Sequence, residues 1–478
     1  MMKATFSPYL KSIAPGIKEL IKELADSYDY VSVLSTDSKG FAVTVSQRVK
    51  TISGNNLTTE RGNVVRVYKN GLYSEYAFNT FDPSRAGEMA AQVKKILDAQ
   101  LSVLKATDSK VYETGKLEDA PEELFVEMET TDLPEDTDLS ALVNKLQKFS
   151  DDGVAKSEEI IDCNIRTAST HVCKMFLTPN RDLRQSYVIT EGSVTAIGVR
   201  GDKNSFGYSG LSDREGPAIL DGLKEHVDNA CRYLDDSLGA DAVEPGEYEV
   251  IASPEVSGLI AHEAFGHGVE MDMFVKKRAL GAEYIGKRIG SELVTMHEGA
   301  KCVKDCSSYA FDDEGTLAGD VVEIDKGILK TGVCDALSAL RLGCKPTGNG
   351  KRENFEHKVY TRMTNTMFDP GTSTRDEMIA SVKKGYLLSG MYSGMEDPKH
   401  WGIQCILARG YEIIDGKLTG KVVAPVVLTG YVPDLLGSIS MASGDYESFG
   451  TGYCGKGYKE FVKTSDGGPY LKAIARLG

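Results

Sequence analysis

No stretch of the 478 residues stays apolar for 18 positions, and nowhere do five or six lysines and arginines cluster. The first absence argues against a membrane-spanning helix. The second removes the basic patch that grips nucleic acid by its phosphates. Positive charge is in deficit overall, with 55 Lys+Arg against 70 Asp+Glu and a formal charge of −15. Neither nucleic acid nor membrane is therefore expected as a direct partner. The first 28 residues carry charges every few positions and lack the apolar core of a signal peptide. Nine cysteines, an odd number scattered along the chain, do not form a disulfide framework. They fit reduced thiols, so a cytoplasmic setting is expected.

What is present is ordinary for a soluble globular chain: 41% hydrophobic and 26% charged residues. Ile13, Ile17, Leu20, Ile21 and Leu24 recur at helical spacing and predict a first helix. Strands are expected at 30–35 and 41–47, then a hairpin over 64–78 turning at Asn70-Gly71. A second helix starts near Ser84, with Met89, Val93, Ile96, Leu97, Leu101 and Leu104 on one face. The polar, acidic stretch 105–135 reads as a connection containing a short strand at 124–129. A capped helix to about Phe149, strands over 160–176 and 185–201, and a helix over 217–237 follow. Two rounds of helix, antiparallel strands, helix suggest an internal duplication. After Gly239 short apolar runs alternate with Gly-rich turns, as in a mostly β unit. The expectation is an α+β chain of two domains: 1–238, mixed with antiparallel strands, and 239–478, mostly β and carrying a helix with metal-binding side chains.

That helix is marked by Ser253, a good N-cap, and Pro254, a good first helical residue. It carries His262, Glu263 and His267, the pattern H-E-x-x-x-H. In the shorter H-E-x-x-H, imidazoles at i and i+4 share a face and bind zinc while the Glu activates water. Here the spacing is i and i+5, and on a straight α-helix those residues lie about 140° apart. Both imidazoles can meet one ion only if the helix bulges or ends between them. The spacing predicts that distortion at 265–267, with Gly266 the residue that tolerates it.

A catalytic zinc needs a third protein ligand and a fourth, open position. Candidates are Cys454, Glu270, Cys302, Cys306 and His297. Cys454 stands out in the Gly-rich turn 452–457, where Lys456 favours its thiolate. Cys302 and Cys306 (C-x-x-x-C) lack a second Cys/His pair that would complete a structural zinc site. Asp312, Asp313 and Glu314 lack the spacing of an EF-hand loop and read better as a turn or a loop-anchoring network. Thr347-Gly348-Asn349-Gly350-Lys351 lacks the register of a phosphate loop, which removes nucleotide binding.

Several segments together resemble the TldD/PmbA family, the modulator of DNA gyrase proteins. They are HEAFGHGVEMD (262–272), FDDEG (311–315), TGNGKR (347–352), RMTNTMFDPG (362–371), SVKKGYLLSG (381–390) and GYCGKGYKEFVKTSDGGPYL (452–471). In the first half, 61–79 and 186–210 are similar too. The resemblance implies a two-domain metallopeptidase, dimeric around a cavity that admits flexible peptides. Because the chain keeps H-E-x-x-x-H, it resembles the catalytic, TldD-like members. The resemblance implies that His262, His267 and Cys454 hold Zn2+ and that Glu263 is the general base. Residues 273–308 are less typical, which bears on substrate preference.

The expected function is a zinc metallopeptidase hydrolysing unfolded or short peptides, by metal-activated water and a Glu base. Its partner would be a second copy or a noncatalytic paralogue. Two alternatives stand: a noncatalytic partner or regulatory subunit, and a thiol hydrolase using Cys454 with His262 or His267 as base.

Overall fold

The computed structural model describes residues 1–54, 58–106, 113–456 and 459–478. Part of the expected connection (107–112) and Gly457 of the Cys454 turn lie outside the described residues. The first helix, Pro8–Ala25, buries the predicted face, and Ser7 caps it by accepting from the Leu10 N–H. The strands expected at 30–35 and 41–47 are instead one continuous strand, Tyr30–Val45. It runs through the polar residues Thr36, Asp37 and Ser38, all buried, because a neighbour pairs with it along each edge. Gly40 is needed there: a Cβ would stand 2.2 Å from the Ser169 carbonyl oxygen.

The hairpin forms as expected from Glu60–Lys69 and Leu72–Phe78, with Asn70 and Gly71 at φ 52° and 84°. The second helix runs over Ala86–Ala106, and Glu122–Glu127 is the expected short strand, parallel to Arg181–Arg200. Asp138 caps Leu139–Val154, which runs five residues further than its sequence pattern; the last helix of this part is Leu223–Gly239.

The two rounds of the sequence merge into one sheet, antiparallel except where Glu122–Glu127 joins Arg181–Arg200. Across it lie Lys203–Asp213, Arg181–Arg200, Ile160–Leu177, Tyr30–Val45, Glu60–Lys69 and Leu72–Phe78, each round supplying three neighbouring strands. Alternation along the strands sends Val31, Val33, Val43, Met175 and Leu177 to the face covered by the four helices. The opposite face presents Leu34, Val172 and Phe176. These pack against Ala300, Tyr309, Phe311 and Ala318 from the second half of the chain.

The second sheet takes its strands from residues 246–477. Gly246–Ala252, Lys384–Asp397, Gly402–Ile414, Val426–Tyr431 and Ser465–Leu477 pair in that order, and the last pairs back with the first. The result is a closed ring of five strands, which leaves no unpaired edge at that seam. The chain thus has the mixed α+β class expected, with its second half rich in strand. Among the described residues no helix is long and apolar enough to cross a membrane.

Candidate metal centre

The strand Gly246–Ala252 feeds directly into the helix Pro254–Leu259. Ser253 caps it, accepting from the Val256 N–H, and Pro254 occupies the first turn. Gly258 lets the helix sit on the strand Ser465–Leu477, since a Cβ there would stand 2.6 Å from the Gly467 nitrogen. The chain then continues as a π-helical turn, Ile260–Gly266, and one 3-10 turn, His267–Val269.

The predicted distortion is real, but it begins at Ile260 rather than at 265–267. In a π-helix residue i+5 lies over residue i. That register brings His262 and His267 to one side and at the same time aligns Ile260 with Phe265, both buried in the main core. Gly266 plays a different part from the one expected. Its dihedrals are ordinary helical values, φ −57° and ψ −47°. What it supplies is room, because a Cβ would stand 2.2 Å from the Met363 sulfur.

The two imidazoles have ring centroids 5.3 Å apart and stand nearly perpendicular. Cys454, on the short strand Tyr453–Lys456, completes the group, with its Sγ 3.3 Å from His267 Nε2. One donor atom from each of the three residues lies within 4.8 Å of the others. Tetrahedral zinc with two nitrogens and one sulfur needs donor separations of about 3.5 Å. Two imidazoles and one thiol, buried and this close, therefore fit the ion.

Electrostatics favour a cation here. Burial would raise the Cys454 thiol, yet the two facing imidazoles reverse this and hold it well below its usual range. Burial would lower His262, but the Cys454 sulfur outweighs that and raises it to about 9. Carboxylates stand behind both rings. Glu270 Oε2 lies 3.0 Å from His267 Nδ1, and Asp466 Oδ2 lies 4.0 Å from His262 Nδ1. Burial would raise Glu270, but Lys456 and His267 hold it well below the carboxylate range. Arg362 ties the parts together, with its Nη2 donating to the Cys454 carbonyl at 2.7 Å and its Nε 3.6 Å from Glu270.

Glu263 projects into the same cavity as the three donors, a space of about 1190 Å³. It packs directly over Gly394 of the strand Lys384–Asp397, where a Cβ would stand 2.3 Å from Glu263 Cγ. Glu396, two residues on, is half-buried, accepts from the Gly268 N–H at 2.9 Å and is pushed well above the carboxylate range by loss of solvent.

The other candidates lie elsewhere. Glu270 is next to the centre but faces a ring nitrogen turned away from Cys454. His297 pairs with Asp320 and Asp369. The Cys302 sulfur bonds the Asn365 carbonyl, and the Cys306 sulfur bonds carbonyls of Thr190 and Asp213. Asp312, Asp313 and Glu314 form the anchoring network rather than a solvated turn. Asp312 accepts from three backbone N–H groups, Asp313 pairs with Lys174, and Glu314 pairs with Arg66. Asn349 bonds Glu298 and the Arg362 carbonyl, so the 347–351 loop is structural. Sequence reasoning missed Arg362, Asp466, Gly394 and Glu396. The first two lie inside RMTNT and TSDGG, stretches too polar to be simple core strands.

Residues 245–473 match the model of the PmbA/TldA metallopeptidase C-terminal domain. A metalloprotease of Methanocaldococcus jannaschii is 34% identical over 232 residues, 48% of this chain and 51% of that protein. This chain therefore aligns with about half of that relative's length. A metalloprotease of Methanothermobacter thermautotrophicus is 26% identical over 424 residues, 85% of this chain and 86% of that protein. A zinc metalloprotease TldD homolog of Saccharolobus solfataricus is 30% identical over 253 residues, 52% and 55% of the two chains. Among solved structures, TldE of Thermococcus kodakarensis superposes with a TM-score of 0.75 at 18% identity, covering 97% of this chain and all (100%) of that one. The fold is thus shared along the whole chain, and the C-terminal domain match names the class: a metallopeptidase-type domain. Over residues 245–473 the chain is similar to the PmbA/TldA metallopeptidases.

Proposed function

We propose that the chain is a zinc-dependent metallopeptidase that hydrolyses unfolded or short peptides, with His262, His267 and Cys454 as ligands and Glu263 as general base. The observation that carries this reading is the convergence of two imidazoles, one thiol and one carboxylate on a single cavity. Its relatives' names as metalloproteases support the same class. Zinc at these three residues would supply Lewis acidity, acidifying water and polarising a peptide carbonyl. Glu263, next to a ligand on the π-turn, takes a proton from the attacking water and returns it to the leaving amine. Glu270 orients the His267 imidazole from behind, and Asp466 stands 4.0 Å behind His262. Lys456 and Arg362 neutralise Glu270, so the net charge at the centre stays suited to a cation.

The reading includes two domains, 1–238 and 239–478, a cytoplasmic setting, and assembly with a second copy or a noncatalytic paralogue around the cavity. Light scattering of the isolated chain, alone and with a paralogue lacking H-E-x-x-x-H, tests the assembly. Elemental analysis of protein prepared without chelators tests the centre. Near one zinc per chain is expected, falling toward zero in His262→Ala, with Glu263→Gln keeping metal and losing hydrolysis. Native protein free of metal yet active would overturn the scheme.

One observation favours a second reading: the 3.3 Å approach of Cys454 Sγ to His267 Nε2 is that of a nucleophile and its base. Phenanthroline separates the two, abolishing a metallopeptidase and sparing a thiol hydrolase.

A further inference from the structure

The cavity wall beside Glu263 is not neutral toward substrate side chains. Along the strand Lys384–Asp397, Gly394 and Glu396 share a face, and Tyr392, at the bulge between Met391 and Ser393, lines the same cavity beside them. Gly394 supplies the slot that Glu263 occupies. Glu396 closes one end of this stretch, half-buried and bonded to the backbone of Gly268. At the other end stands Tyr392, two residues and so about 7 Å from Gly394. Its ring meets Phe206 from the strand Lys203–Asp213, centroids 4.7 Å apart and tilted by 38°. Phe206 is 39% exposed, on an edge strand of its sheet in which Gly207 is the one buried residue. Met391, next to Tyr392, and Met395, between Gly394 and Glu396, line the same cavity, and Met395 is 67% exposed.

Exposed aromatic and methionine side chains beside a polar centre form an adaptable apolar surface. Seven ångströms is also the reach of a residue flanking a scissile bond held at Glu263. We propose that Phe206 and Tyr392 form a side-chain subsite that selects peptides with an aromatic or long aliphatic residue adjacent to the bond cleaved. The assignment deepens the peptidase reading and rests on it for the cleavage step, but not for the binding step. Polar, charged or very small residues at that position leave the two rings facing water. The pair joins the two halves of the chain, so the subsite depends on how they pack.

Two measurements test it. In the first, zinc-loaded protein digests peptides identical except for Phe, Leu, Ala or Asp at one position, and cleavage sites are read by mass spectrometry. The Phe and Leu peptides should exceed the Ala peptide in kcat/KM by about ten- to a hundredfold. Phe206→Ala and Tyr392→Ala should each shrink that ratio toward one, while Phe206→Leu should retain most of it. Cleavage without preference overturns the subsite and leaves the peptidase reading standing. A preference undiminished in both variants overturns its assignment to this pair. In the second, the Glu263→Gln variant binds the same peptides without turnover, measured calorimetrically. A Phe-over-Ala preference that disappears with Phe206→Ala supports the subsite even where no hydrolysis is seen. Equal affinities overturn it.

Discussion

Gly394→Ala probes the position of Glu263 without touching any residue assigned to the metal. The new Cβ would stand 2.3 Å from Glu263 Cγ, 2.9 Å from its Cβ and 3.0 Å from its Cδ, and these are the three nearest atoms. Carbon atoms settle about 3.5–4.0 Å apart. The crowded atoms lie near the root of the side chain, so Glu263 cannot relieve the clash by swinging its carboxylate. The Glu263 side chain and the strand at Gly394 must part by roughly 1 Å or more. A displacement of about 1 Å in a group acting on the reacting atoms costs on the order of a hundredfold in rate. That corresponds to about 2.7 kcal/mol of transition-state stabilisation. Zinc content should hold near the native value, because the clash reaches none of His262, His267 and Cys454. The assay is kcat/KM on a quenched fluorescent peptide beside elemental analysis of the same preparation. Gly402→Ala on the neighbouring strand is the control, since a Cβ there meets nothing within 4 Å. A Gly394→Ala protein keeping more than half its activity would refute the reasoning. Loss of zinc along with activity would shift the effect from Glu263 to the ligands.

Removing the charge behind His267 should loosen the metal without removing a ligand. Glu270→Gln is expected to weaken zinc binding by about ten- to a hundredfold, measured against a competing chelator, and unchanged affinity would exclude an orienting role. Cys454→Ser should release zinc while leaving the fold intact, with circular dichroism beside metal analysis as the check. It is a cleaner test than C-terminal truncation. Ser465–Leu477 pairs with Gly246–Ala252, Asn365–Phe368, Val426–Tyr431 and Met441–Phe449, so truncation is expected to yield insoluble protein. Glu75 makes a bidentate pair with Arg352 across the two halves of the chain. Burial opposes its ionisation, but Arg66 and Arg352 lower its pKa from 4.5 to about 2. Its stabilisation is therefore complete above pH 4.5 and is lost as pH falls toward 2. Glu75→Gln should lower Tm at neutral pH and flatten the fall in Tm over that acid window, and a variant whose acid profile matches the native one would exclude the pair.

How much of this was legible in the sequence depended on how local the cause was. The helix Pro8–Ala25, the Asn70-Gly71 turn and the Ser253 cap follow from neighbouring residues, and each stands where its pattern put it. The break predicted between 30–35 and 41–47 failed because Thr36, Asp37 and Ser38 read as a polar loop. Pairing along both edges buries them instead, and Asp37 finds Ser7 and Arg61 from other segments. The spacing of His262 and His267 required a distorted helix, yet it could not show where the distortion begins. In the structure the turn widens from Ile260 onward, and Phe265 packs against Trp401 in the core. Glu270 is the sharpest case. By residue type it was a fair third ligand, and it does stand against His267, but on the ring nitrogen opposite the sulfur. Side-chain chemistry names the possible donors; only the direction from which each approaches separates a ligand from the group that orients it. Cys454 approaches from that side with its carbonyl held by Arg362 and its strand Tyr453–Lys456 paired with Lys459–Lys463. The Arg362 bond joins residues 92 positions apart, so no local pattern around Cys454 encodes it.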